Sequence, residues 1–208
     1  MQVPTTQART AQVHTTTVQA SGQYVTIINK PVVAAMKALG SGDAAERAKQ
    51  IVAVLAHPSR FAPPVLYALS EALFQAGKKD EAAFWFYAGQ LRARFDANRC
   101  TDETAGSAVD VLNDRYGPAI NKYTLTDIPK LEALIPRVIA WDRKTGHVYD
   151  PRWLAPHGMA PFLADGKAAP LTRPQAEWGK IAEKNRAAYL SGFYEALAGM
   201  KKGGAAKS

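Results

Sequence analysis

The sequence predicts an all-α protein: a helical hairpin array with a long aromatic Pro/Gly-rich loop and a C-terminal helix. Three observations predict it. Apolar residues recur at spacings of three and four, as in Ile128, Leu131, Leu134, Ile135, Val138 and Ile139. Alanine is abundant and β-branched runs are few, which favours helix. No strand-like run has an evident hairpin partner.

Residues 1–23 are polar and lack helical periodicity, so a flexible N-terminal arm is expected. Residues 24–200 are expected to form a single helical domain, and residues 201–208 a flexible tail. The strand-like run from Tyr24 to Ile28 is read as an extended segment or helix lead-in, with Pro31 in the first turn of a helix ending at Leu39. After the break at Gly40-Ser41-Gly42, Asp43 suits a helix cap with Glu46 three residues on. The stripe Ala44, Ala48, Ile51, Val52 and Leu55 follows, and Pro58 ends it.

Pro63 and Pro64 open the next helix and Gly77 closes it; a longer one runs from Asp80 to about Asn98. Ala105 to Tyr116 reads as a helix stopped by Gly117-Pro118, with at most a turn of helix over Ala119 to Tyr123. Asp127 caps the amphipathic segment beginning at Ile128, in which Pro136 predicts a kink. Thr145 to Pro174 holds several prolines and glycines with Tyr149, Trp153 and Phe162, and reads as a long ordered loop of the kind that carries function. A final helix is expected from about Pro174 to Met200.

The net charge is +8 over 208 residues, with cations scattered among acidic residues along the helices. No aromatic–basic interleaving suited to stacking bases is present, so a solvated basic face or an acidic protein partner is preferred over nucleic acid. No apolar run approaches the ~20 residues of a membrane span, and a soluble protein is expected. The one cysteine, Cys100, excludes an internal disulfide. The Thr/Gln-rich start is compatible with a periplasmic chain whose signal peptide was trimmed, and otherwise with a cytoplasmic one.

Two chemistries compete with plain binding. Cys100 with His147 or His157 as base and Asp150 as orienting carboxylate would make a hydrolase, provided that they meet in space and the thiol pKa is lowered. The bland alternative is a structural cysteine, and it is preferred. His14, His57, His147 and His157 show no i, i+4 pair and no HExxH, so no metal site or cofactor is expected; His147 with Asp150 supplies at most two ligands. For partner binding, Tyr149, Arg152 and Trp153 are the candidates, because Trp, Tyr and Arg dominate interface hot spots. The competing reading packs this aromatic loop onto its own helices.

The stretch from Pro64 to Arg94 resembles one tetratricopeptide or Sel1-type repeat: Leu66, Leu69, Ser70 and Leu73 on the first helix, Gly77 in the turn, Ala82, Phe86 and Gly89 on the second. The helices at Asp43–Leu55 and Ala105–Trp141 could stack on it as degenerate repeats or caps. Phe95 to Cys100, Asn121-Lys122-Tyr123, Trp141-Asp142 and Tyr149 to Trp153 together resemble an uncharacterised bacterial protein family. Some members look exported and some carry a ubiquitin-hydrolase-type label, but no recognised catalytic motif maps onto this chain. The resemblance implies a bacterial, non-enzymatic protein-binding protein. Its leading form is an immunity protein that covers the active cleft of a secreted toxin with an acidic surface.

Overall fold

A computed structural model of the chain describes residues 22–27, 29–163 and 170–205. The described residues form helices joined by short turns and loops, with no strand beyond one isolated antiparallel bridge between Cys100 and Thr172. The helices are α1 (Lys30–Leu39), α2 (Ala44–Ala56), α3 (Pro63–Gln75), α4 (Lys79–Arg99), α5 (Ser107–Thr124), α6 (Ile128–Lys144), the single turn α7 (Ala160–Leu163) and α8 (Trp178–Ala205).

Asp43 caps α2: its Oδ1 accepts from the amides of Ala45 at 2.8 Å and Glu46 at 3.3 Å. The reciprocal half of a capping box is replaced, because Glu46 Oε2 accepts from Ser41 Oγ at 2.7 Å. Asp127 caps α6 through Lys130 N at 3.1 Å. At the end of α3, Gly77 takes φ +79°, while Lys78 N bonds to Leu73 O and Gly77 N to Phe74 O. This is a Schellman closure, and it turns the chain back at once into α4.

The α3–α4 hairpin is the heart of the fold. An added Cβ at Gly89 would lie 3.1 Å from Tyr67 Cδ2 and 3.3 Å from Leu66 Cβ, so glycine sets how closely the two helices approach. α4 also packs against α5, α6 and α8, and its buried residues, from Ala82 to Arg99, surround the helix. A solenoid element contacts its sequence neighbours; a helix with four helical neighbours is the axis of a bundle. α1 and α2 close the far side of α3.

Three elements differ from expectation: α5, the aromatic loop and α8. α5 does not stop at Gly117-Pro118 but runs on to Thr124. Burial of Ile120 and Thr124, with Tyr87 Oη 3.1 Å from Thr124 Oγ1, outweighs the ~3 kcal/mol cost of an internal proline. At Gly117 the missing Cβ makes room for the Phe86 ring, which would stand 3.3 Å from it. Of the two forms expected near Tyr24, the helix lead-in is the one seen, as a 3-10 helix over Gly22–Thr26. The aromatic loop contains a 3-10 helix, Pro151–His157, as well as α7. α8 begins at Trp178 and continues to Ala205, past the expected start of the tail at Lys201. Most of the predicted N-terminal arm lies outside the described residues, as do 206–208 of the tail.

Candidate functional site

α1 and α5 both pack on α3 and face each other across a groove. Pro31 opens α1, and Gly40 ends it by bonding to Met36 O at 3.0 Å. Asn29, at the cap of α1, and Val32, Val33 and Met36 within it fall at helical spacing on one face. The facing wall comes from α5, through Ser107, Ala108, Val111 and Leu112. Pro64, Trp153 and His157 complete a cavity of about 410 Å³. Val33 and Val111 keep 61% and 65% of their surface exposed, so the walls offer aliphatic area that the fold has not covered.

The floor is held by a buried carboxylate on α4. Asp96 Oδ2 accepts the Trp153 indole N–H at 2.7 Å, and its Oδ1 accepts from Arg99 at 2.6 Å and from the Tyr149 hydroxyl at 3.2 Å. Burial pushes Asp96 above the ordinary carboxylate value, against the pull of Arg99 and Trp153. The Arg99 guanidinium is stacked between Phe95 and Trp178, 4.4 Å from each ring centre.

A second buried carboxylate ties down the start of the loop. Asp142 accepts from Arg92 at 2.9 Å and from Arg186 at 2.7 Å, and lies 3.2 Å from His147 Nε2. Burial raises its pKa, but the bond to His147, the charges of His147 and Arg92 and the bond from Arg186 outweigh that and hold it at about 2. Arg92 also donates to the carbonyls of Thr145 and Gly146, and Val148 N donates to Ser59 O at 2.8 Å.

These contacts place the partner-binding candidates. Tyr149 and Trp153 are buried and bonded to Asp96, so neither stands out from the surface as an anchor. Arg152 pairs with Asp150 at 2.7 Å and reaches back to Thr26 at 3.0 Å. Of the three, Trp153 alone lines the groove, as its floor.

The hydrolase constellation does not assemble among the described residues. Cys100 is buried, and desolvation pushes its thiol up, more than the amides of Asp102 and Thr101 pull it down. His147 is bonded to Asp142; His157 packs beside Trp153, and Asp150 belongs to Arg152. No described hydrogen bond joins the Cys100 thiol to either histidine. The part of His157 set against the groove is desolvated, which lowers its pKa. His57 is exposed at the end of α2, and His14 lies outside the described residues. Among the described residues no group of three or more His, Cys, Asp or Glu could hold a metal ion, and no helix is long and apolar enough to cross a membrane.

The groove residues Val33, Met36, Val111 and Leu112 were missed as functional candidates. Their helical spacing was visible, but spacing does not show which apolar face lacks a neighbour. Nothing similar to this chain was found among protein-family models, curated proteins or solved structures.

Proposed function

We propose that this protein is a non-enzymatic, Sel1/tetratricopeptide-like binding protein that takes a segment of another protein into the α1–α5 groove. One observation carries the reading: an apolar groove of about 410 Å³ whose walls leave Val33 and Val111 largely in water. Covering a large aliphatic side chain gains about 1.5–3 kcal/mol, so a few such contacts supply useful affinity. Exposed Lys30 and Lys37 lie beside the apolar stripe of α1. The matching partner segment is therefore an amphipathic helix with an aliphatic face and an acidic flank. The α3–α4 hairpin, with its Gly77 turn and its close contact at Gly89, supports the repeat-type reading. Immunity toward a secreted bacterial toxin is the biological role that fits such a partner.

The test is co-expression with the products of the neighbouring genes, among which this reading expects a toxin, followed by purification and mass measurement. The expected result is a one-to-one complex that Val33→Asp with Val111→Asp weakens at least about tenfold. Both positions are exposed, so the variant should keep its Tm. A folded variant that binds as tightly as the wild type would overturn the groove reading.

A further inference from the structure

A second concavity, remote in chemistry from the apolar groove, runs along α8 beside the C-terminal end of α4. It encloses about 530 Å³, within the range of small-molecule sites. Arg173, Lys180 and Lys184 bring three positive charges to it, against the single carboxylate of Glu177. Lys180 and Lys184 stand one helical turn apart on one face of α8, and neither forms an ion pair with a described residue. Like charges at this spacing repel, by a few tenths of a kilocalorie per mole on an isolated helix. A bound anion converts that repulsion into attraction.

Arg173 is pre-positioned. Its Nε donates to Asn98 O at 3.2 Å and its backbone N–H to Arg99 O at 2.8 Å, while the carboxylate it pairs with among the described residues, Glu103, is 4.0 Å away and almost fully exposed. The guanidinium is therefore fixed at its base and keeps donors for a ligand. Polar donors complete the lining. Asn98 Nδ2 gives one hydrogen to Asn185 Oδ1 at 2.9 Å and makes no second bond among the described residues, and Asn185 is itself buried and anchored on Leu91 O at 3.0 Å. We propose that this trough binds a small, multiply charged oxyanion, a phosphate or polycarboxylate compound, between Arg173 and the Lys180–Lys184 pair.

The test uses the full chain at constant ionic strength, titrated with pyrophosphate, with citrate and, as a control, with chloride, followed by thermal shift and calorimetry. Saturable binding with a Tm rise of about 2–4 °C is expected for at least one of the two oxyanions. Which of them binds distinguishes a phosphate from a carboxylate ligand. Lys180→Gln with Lys184→Gln, and separately Arg173→Gln, should weaken it at least about tenfold, whereas Val33→Asp with Val111→Asp should leave it unchanged. Circular dichroism verifies that each variant is folded, and Lys184→Gln alone replaces the double variant if that one is not. The proposal fails if neither oxyanion saturates or if folded variants respond like the wild type.

Discussion

The indole nitrogen of Trp153 donates to Asp96 Oδ2 at 2.7 Å, across 57 residues of chain. This bond fixes the most conspicuous residue of the aromatic loop as the floor of the groove rather than as an exposed anchor. Trp153→Phe keeps an aromatic ring but removes the donor. It should cost about 1–2 kcal/mol in urea unfolding. Asp96→Ala leaves the buried Arg99 unpaired and should cost about 3–5 kcal/mol.

Asp142 makes stability depend on acid. Its folded-state pKa is held at about 2, below the ordinary value of 3.8, so the folded protein resists protonation more than the unfolded chain does. The stabilisation is complete above about pH 4 and is lost as pH falls through about 2. It amounts to about 2 kcal/mol. Urea midpoints measured across this window should drop for the wild type. Asp142→Asn should be less stable at neutral pH, because Arg92 and Arg186 lose their partner, and its acid slope should be shallower.

Glycine substitutions should separate packing from helix propensity. Gly89→Ala places a methyl group 3.1 Å from Tyr67 and should destabilise by about 1–3 kcal/mol. Gly179 and Gly192 on α8 have open space around them, so alanine there should be neutral or stabilising by up to about 1 kcal/mol. Thermal denaturation of the three variants checks the order.

Cys100 should behave as a structural residue. Native protein should react slowly with a thiol reagent such as Ellman's, and quickly once urea opens the fold, because burial disfavours the thiolate. Cys100→Ala should leave partner binding intact. Loss of a measurable hydrolytic turnover on this substitution would instead support the cysteine-hydrolase alternative.

Local signals in the chain were sufficient for the helices and several of their ends. Asp43 and Asp127 cap as their side-chain chemistry requires, and Gly77 turns where a left-handed residue was needed. Gly117-Pro118 misled because a strong local breaker is overridden by the contact of α5 with Phe86 and Tyr87, which local sequence does not display. The loop misled for a related reason. Tyr149, Arg152 and Trp153 have the chemistry of an interface, but their partners Asp96, Asp150 and Thr26 become visible once the chain is folded. The groove was hidden because Val33 and Val111 are ordinary members of apolar stripes until the neighbouring faces are known.

Amide hydrogen exchange, with and without the bound partner, tests the groove most directly. Slowed exchange along α1 at 30–39 and along the first turns of α5 at 107–115, with the outer face of α2 unchanged, is the predicted result. A stable complex whose protection falls elsewhere, leaving both walls as open as in the free protein, would contradict it.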